Sequence, residues 1–359
     1  MKNKNILVIA GLFLIFLQSL SAQNKITAEL LPQTLLKKTD IPPGDYSGIS
    51  HIRENLYAIV SDKEPLDGFY PFTIKIDSIS GNILEVHRNG MVGHQPDRIA
   101  IDGYSTRDAE DIVYHPSTDS YFISGEGDQR IPEYSKDGIL TGRELKIPEE
   151  FSIKNIQPNY GFEALAYDSI HGLFWTTTES ALKKDLPANE DGTLSLRLQS
   201  FGEDLQPLRQ YAYKTDIPAI KPKNARQVFG VSAMTALPNG RLLVLERDFI
   251  ITKNYIGSYV QHKIYVINPL DAPNDTIASD TNLKLIPASR YLKKELLTEF
   301  RTNLKLLDRN ISNFEGMCLG QKLKDGRQVL LLINDSQHNY GNMFFHLQDY
   351  LKVILLKFQ

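Results

Sequence analysis

A strand-turn-strand segment with polar residues at both ends occurs five times along this chain of 359 residues. Each copy is rich in apolar, β-branched and aromatic residues and has a turn sequence near its centre, which is typical of a β-hairpin. The copies are SGISHIRENLYAIVSD (47–62), EDIVYHPSTDSYFISGE (110–126), GFEALAYDSIHGLFWTTTE (161–179), SAMTALPNGRLLVLE (232–246) and EGMCLGQKLKDGRQVLLLIND (315–335). A unit that recurs in this way indicates a repeat architecture.

Further strand candidates lie between the hairpins, for example YPFTIKID at 70–77 and HKIYVINP at 262–269. Four strands per repeat describe a propeller blade. We therefore predict an all-β fold: one β-propeller domain over residues 23–359, with five or six four-stranded blades. ITAELL, near the start of that range, is expected to pair with the C-terminal segments MFFHL and VILLKF and so to close the ring.

One segment departs from this β pattern. Apolar residues in YLKKELLTEFRTNLKLLDR recur at spacings of three and four, which predicts an amphipathic helical insertion near 291–308. These residues are Leu292, Leu296, Phe300, Leu304 and Leu307.

The N-terminus has the features of a secretory signal peptide over residues 1–22. Lys2 and Lys4 precede the apolar run ILVIAGLFLIFLQSL, and small residues precede a cut after Ala22. A membrane anchor is the alternative, but the run is shorter than the roughly 20 residues that a spanning helix needs. We expect a periplasmic or secreted monomer with no membrane span after cleavage.

The net charge and the cysteine count exclude several classes of protein. Cleavage removes Lys2 and Lys4 and no acid, so the net charge moves from -3 to -5. No basic block suggests a nucleic-acid partner. Cys318 is the only cysteine, which excludes an intrachain disulfide, and its apolar surroundings favour a buried small side chain over a nucleophile.

Acidic residues at the ends of the hairpins are the main functional signal. If each turn closes an antiparallel hairpin, the two members of a pair face each other and all open ends meet in one ring. Clustered carboxylates repel unless they bind protons, Arg or Lys, or a cation, and hard cations such as Ca²⁺ prefer oxygen ligands. The predicted metal ligands are Asp62, Glu110, Glu126, Glu163, Glu179, Glu246, Glu315 and Asp335. Inter-blade salt bridges with no metal are the alternative.

Basic residues beside these acids suggest oxyanion binding. Arg107 and Arg247 are the candidates for orienting a phosphate or another oxyanion next to a metal. His338 is the candidate for proton transfer, together with His94 and His115, although a lone histidine with no partner spacing is weak evidence.

The order of the motifs resembles the "esterase-like activity of phytase" family over residues 44–340. The motifs are RDAEDIVYHP, NYGFEALAYD, VSAMTALPNGRLLVLERD and NFEGMCLGQKLKDGRQVLLLINDS. The resemblance implies an exported bacterial β-propeller, related in outline to calcium-dependent phytases, that hydrolyses phosphoesters or esters. It places the functional positions at Asp62, Glu110, Glu126, Glu163, Glu179, Glu246, Arg247, Glu315 and Asp335.

Two functional hypotheses follow. The first is a calcium-dependent hydrolase that acts on a small phosphorylated or ester substrate. The second is a non-catalytic propeller that binds a ligand or a protein partner, with the acids joining the blades.

Overall fold

The computed structural model describes most of the chain beyond the predicted signal peptide. The described residues are 25–36, 41, 44–100, 103, 105–272, 274–306, 309–337, 340, 341 and 346–359. The predicted signal peptide, residues 1–22, lies outside them.

Antiparallel strands form nearly all of the regular structure in this part of the chain. The strands are β1 (Ile26–Leu35), β2 (Tyr46–Arg53), β3 (Leu56–Ser61), β4 (Asp67–Ile76), β5 (Ile83–Arg88), β6 (Val92–His94), β7 (Ala109–His115), β8 (Ser120–Gly125), β9 (Pro132–Ser135), β10 (Leu140–Glu144), β11 (Phe162–Asp168), β12 (Leu173–Thr178), β13 (Ser195–Phe201), β14 (Pro207–Lys214), β15 (Arg226–Ala236), β16 (Leu242–Ile251), β17 (Tyr259–Ile267), β18 (Thr276–Ile277), β19 (Lys294–Asn303), β20 (Asn313–Lys322), β21 (Gln328–Asp335) and β22 (Tyr350–Phe358). The short 3-10 helices are Glu149–Phe151, Ile153–Asn155, Lys183–Asp185, Pro269–Asp271, Leu283–Leu285 and Ala288–Arg290.

The strands form five sheets, each a blade of a β-propeller. From the innermost strand outwards, the blades are β2-β3-β4-β5, β7-β8-β9-β10, β11-β12-β13-β14, β15-β16-β17-β19 and β20-β21-β22-β1. Strand β6 pairs with β4 in blade 1, and β18 adds an edge strand to blade 3. The five repeated hairpins are the two inner strands of the five blades, as the sequence predicts.

Packing between the blades fixes their number at five. The inner strands contact one another in the closed order β2, β7, β11, β15, β20 and back to β2. One apolar cluster fills each of the five interfaces between neighbouring blades. The option of six blades is therefore not supported. Cys318 lies buried in the cluster between blades 5 and 1, as expected.

Strand β1 closes the ring. Its first residues, ITAELL, pair with VILLKF in β22, from Ile26 opposite Phe358 to Leu30 opposite Ile354. The expected pairing is thus present, but it completes blade 5 and not a sixth blade. The segment MFFHL lies partly outside the described residues.

The predicted helix near 291–308 is wrong, because Lys294–Asn303 within this segment forms β19, the outer strand of blade 4. The spacing of four between Leu292, Leu296, Phe300 and Leu304 misleads because it is a multiple of the two-residue strand period as well as about one helical turn. The strand also contains a β-bulge. Thr298 faces Ile264 and Leu296 faces Tyr265, so Leu297 is an extra residue in the strand. Leu297 and Phe300, three residues apart, consequently pack against the same apolar cluster.

A buried histidine lies between blades 4 and 5. The ring of His262 stacks on Phe300 with a centroid distance of 4.7 Å and meets Phe314 edge-on. The Phe314 N–H donates to His262 Nε2 at 3.3 Å, so the ring is neutral with its proton on Nδ1. Burial, with the charges of Arg247 and Lys352, lowers the pKa of His262 to about 3.

We expect this histidine to make the fold sensitive to acid. In the unfolded chain the imidazole binds a proton below its usual pKa of 6.5, whereas the folded protein resists protonation down to about 3. Stability is therefore fully present above pH 6.5 and falls as the pH drops towards 3, by up to about 1.4 kcal/mol per pH unit. His262→Gln keeps an acceptor for Phe314 but does not titrate. Urea unfolding at about pH 7 and about pH 5 should show the wild type losing more stability than the variant. Equal losses would contradict this assignment.

Candidate functional site

Each inner strand carries a β-bulge at the same place, next to the axis of the propeller. In every blade one residue of the inner strand has no partner opposite it on the second strand. These bulge residues are Ser47, Glu110, Glu163, Ser232 and Glu315. A bulge bends the strand and re-aims its side chain, and Glu110, Glu163 and Glu315 turn towards the axis. The hydroxyls of Ser47 and Ser232 instead donate to Ala109 O and Phe314 O of the neighbouring blades. The expectation that the two members of each pair lie directly opposite each other is wrong because of the bulges.

The second strand of each blade places one residue at the same end as the bulge. The inner-strand residue that faces it lies two residues before the bulge residue. Asp62 N–H donates to Asp45 O at 3.1 Å, and Glu126 N–H donates to Asp108 O at 2.8 Å. The same register gives five equivalent facing pairs: Asp45 with Asp62, Asp108 with Glu126, Gly161 with Glu179, Gly230 with Arg247, and Asn313 with Asp335.

This alignment corrects the residue predicted to face the axis in blade 4. Arg247, and not Glu246, occupies the position that carries an acid in the other four blades. Successive side chains of a strand point to opposite faces, so Glu246 points away from the ring. It lines a second cavity of about 320 Å³, where Lys294 Nζ lies 2.5 Å from its Oε1 and Asp216 N–H donates to its Oε2.

The three glutamates of the bulges and the second-strand side chains of all five blades line a cavity of about 720 Å³, which we call the mouth. Its described lining contains nine carboxylates and three cationic side chains. The carboxylates are Asp45, Asp62, Asp108, Glu110, Glu126, Glu163, Glu179, Glu315 and Asp335, and the cations are Lys63, Arg226 and Arg247. Seven of the eight predicted metal ligands thus meet in one place.

The acids of blades 1, 2 and 5 form two overlapping triads. One ligand oxygen from each of Asp45, Asp62 and Asp335 lies within 4.8 Å of the others, and the same holds for Asp62, Asp108 and Glu110. Asp62 belongs to both triads, and its buried Oδ1 has no hydrogen-bond partner in the described part of the chain. Lys63 contacts the edge of this group, with Nζ 3.1 Å from Asp62 and 2.5 Å from Asp108.

Burial dominates the protonation of these acids. It raises the pKa of Asp62, against the opposing effect of Lys63, and it raises the pKa of Glu110 together with repulsion from Glu163. The pKa of Asp335 is raised by burial and by Glu315. Burial also raises the pKa of Glu126 to about 7, although Gly161 N–H donates to its Oε1 at 2.8 Å. The cluster therefore lacks the positive charge that would keep all its members ionised.

Arg247 neutralises the other side of the mouth. Its Nη2 donates to Glu179 at 2.6 Å and lies 3.5 Å from Glu163, while its Nη1 donates to Glu315 and to Asn313. Burial opposes the charge of this guanidinium, but the three glutamates raise its pKa well above the usual value. Arg247 thus ties blades 3, 4 and 5 together at the axis.

The other predicted catalytic residues do not join this group. Arg107 lies in a third cavity of about 480 Å³, where it pairs with Asp67 and Asp128, and His94 lines the same cavity. His115 is buried at the opposite end of β7, with Nε2 3.1 Å from Glu203. His338 lies outside the described residues.

Sequence reasoning missed Asp45, Asp108 and Asn313. Each precedes a bulge residue by two positions, in the segments DYS, DAE and NFE. That shared spacing is the signal that could have found them.

The fold and site define a five-bladed β-propeller with an acidic axial mouth. The chain matches the Phytase-like family, described as "Esterase-like activity of phytase", over residues 41–338. It belongs to this family. No curated protein matches the chain.

Solved structures with a similar fold include "RS223-Beta-xylosidase", with 11% identity, 91% of this chain and 96% of that chain covered, and a TM-score of 0.44. The α-L-arabinofuranosidase PaAbf62A from Podospora anserina has 8% identity, coverage of 94% and 98%, and a TM-score of 0.40. The "Dos1 propeller" has 10% identity, coverage of 86% and 67%, and a TM-score of 0.32. With such low identities and TM-scores, these similarities assign neither an activity nor a substrate to this chain. None of the helices in the described residues is long and apolar enough to cross a membrane.

Proposed function

We propose that this protein is a calcium-dependent hydrolase of small phosphate esters or other esters, with its active site at the mouth. The observation that carries the proposal is the pair of oxygen triads that share Asp62. A ligand cluster of this kind suits a hard divalent cation, which takes six to eight oxygen ligands.

The chemistry of the donors fits calcium. The triads offer carboxylate oxygens only, and the unpartnered Oδ1 of Asp62 is a buried acceptor for which a cation is a natural partner. Asp45, Asp62, Asp108, Glu110 and Asp335 would hold the ion or ions. Calcium bound there would supply positive charge that stabilises the oxyanion of an ester undergoing hydrolysis.

The chain's own cations have a different task in this proposal. Lys63 contacts Asp62 and Asp108, and its charge lowers the pKa of Asp62 against the larger, opposite effect of burial. Arg247 is engaged by Glu179 and Glu315, so it holds the blades in position and leaves contact with the substrate to the metal side of the mouth.

The second candidate is a non-catalytic propeller that binds a ligand or a protein partner. The contacts of Arg247 favour it, because a single guanidinium joins acids of blades 3 and 5 through blade 4 and offsets their charge. In this case the acids are mainly inter-blade contacts.

The two candidates differ in their response to calcium. We expect the hydrolase to turn over 4-nitrophenyl phosphate or 4-nitrophenyl acetate with calcium but not with a chelator. At a calcium concentration about 100 times the Kd, the free energy of unfolding should rise by about 2.7 kcal/mol. No turnover in either condition would refute the hydrolase. Turnover that is equal with calcium and chelator would refute its metal dependence.

We also propose that the protein is exported, with cleavage after Ala22. The proposal rests on the charged and apolar pattern of residues 1–22. An N-terminus that begins at Gln23 in protein recovered from the periplasm or medium would support it, and an intact Met1 would refute it.

A further inference from the structure

Blade 4 rises above the acids as an apolar wall. Strands β15 and β16 are 11 and 10 residues long and continue beyond the ring. Since side chains alternate along a strand, Arg247 lies at the floor and Phe249 and Ile251 follow it on the same face. Val228 on β15 also lines the mouth. The wall therefore presents aliphatic and aromatic carbon directly above a charged floor.

Aromatic side chains extend this wall. Tyr340 lines the mouth and meets Tyr255 edge-on at 5.8 Å, and Tyr160 lines it from the loop before β11. Ile251, Tyr255 and Tyr340 all pack against the apolar cluster of blade 4 that includes Phe249. The wall is thus a packed continuation of the core and not a set of isolated exposed side chains.

The cations of the mouth are too few to bind a polyanion. Lys63 and Arg247 are each held by two or more carboxylates. Arg226 is the remaining cation of the described lining; it contacts Tyr340 and has no carboxylate partner among the described residues. Bound calcium favours the ionised form of its carboxylate ligands. With all nine carboxylates of the mouth ionised, the three cations and two calcium ions would leave no positive surplus for several phosphate groups.

We propose that the mouth accepts a monoester whose leaving group is apolar and about the size of an aromatic ring, and that it rejects highly phosphorylated substrates. This inference rests on the proposed hydrolase function. The single anionic group lies on the metal side, next to Asp62, and the apolar group lies against Val228, Phe249 and Ile251. A cavity of about 720 Å³ holds a ligand of this size.

The test compares three phosphate esters with calcium at low ionic strength: 4-nitrophenyl phosphate, glucose 6-phosphate and inositol hexakisphosphate. We expect kcat/KM to be at least about tenfold higher for the aryl ester than for the others. The variant Val228→Thr/Ile251→Thr keeps β-branched side chains but places hydroxyls on the wall. It should raise KM for the aryl ester by about tenfold with little change in kcat, and leave glucose 6-phosphate unaffected.

Ile217→Thr is the matched control, because Ile217 lines the second cavity beside blade 4. This substitution should leave the preference for the aryl ester over the other two phosphate esters unchanged. A preference for inositol hexakisphosphate, or an unaltered KM in the wall variant, would overturn the inference.

Binding provides a readout that is independent of turnover. Calorimetry with phenylphosphonate and with inositol hexakisphosphate should show tighter binding of the aryl ligand, weakened in the wall variant. If no ester is turned over, the proposed function fails, and this measurement still decides the inference. Tighter binding of the hexakisphosphate would refute it.

Discussion

Asp62→Asn is expected to change protein stability in opposite directions with and without calcium. In chelator, the substitution removes one of several wholly or partly buried carboxylates that repel one another, so the free energy of unfolding should rise by about 1 kcal/mol. With calcium, the same variant loses the one ligand that both triads share. Its stability gain from calcium should then largely disappear, and calcium-dependent turnover should fall by about 100-fold or more.

Asparagine has nearly the shape of aspartate, so the packing around residue 62 should change little. Any packing defect would lower stability both with calcium and with chelator. Asp137→Asn, at an exposed turn of blade 2, is the matched control and should be neutral in both. Chemical unfolding in calcium and in chelator measures the effect. A variant that is equally destabilised in both conditions would show that Asp62 is structural and that the triads hold no metal.

The opposite effects on stability with and without calcium also explain why a cluster of acids would be retained at the mouth. A group of acids that lowers the stability of the metal-free protein is a cost that the fold bears for ligand binding. The core clusters between the blades supply the apolar burial that offsets it.

Much of the ring could be predicted from the sequence, because equivalent positions in successive blades carry similar side chains. The hairpins, the gathering of seven acids and the closure by β1 all follow from local patterns. The bulges could not be predicted in this way. A bulge inserts one residue, but the alternation of apolar and polar residues continues on each side of it. This alternation therefore did not show that Asp45 and Asp108, two positions before Ser47 and Glu110, face the second strand at the axis.

The same limitation explains the errors in blade 4. In the sequence LER, a register shift of one residue decides whether Glu246 or Arg247 faces the axis. In β19 and its flanks, apolar residues four apart fit both a helical turn and an alternating strand, so the sequence pattern alone did not distinguish the two. The number of blades depends on how neighbouring sheets pack, which no single repeat encodes.

Arg247→Gln is expected to be the most destabilising single substitution in the mouth. The guanidinium is 6% exposed, and its two terminal nitrogens hold Glu179 and Glu315, with Glu163 nearby. Removing one partner of a buried ionic group leaves the other charges uncompensated, so the free energy of unfolding should fall by about 3–5 kcal/mol. Arg209→Gln, at an exposed position of blade 3, should change it by less than about 0.5 kcal/mol.

A second substitution separates the loss of charge from the loss of packing. Arg247→Gln/Glu179→Gln removes the cation and one of the acids that it neutralises. If charge dominates, the double variant should be more stable than Arg247→Gln alone, with an interaction energy of about 1–3 kcal/mol in a double-mutant cycle. Additive losses would instead show that the guanidinium acts mainly by filling space.

Calcium offers a further discriminating measurement on the same variant. In blade 4, Arg247 occupies the position where the other blades carry an acid, and it therefore acts as a fixed cation among Glu163, Glu179 and Glu315. Without it, these three glutamates form an oxygen cluster that resembles the triads of blades 1, 2 and 5. Calcium should then stabilise Arg247→Gln by more than it stabilises the wild type, since a new set of ligands is exposed to it. Equal stabilisation of both proteins would mean that the glutamates beside Arg247 cannot rearrange around an ion, and that the two halves of the ring have separate roles.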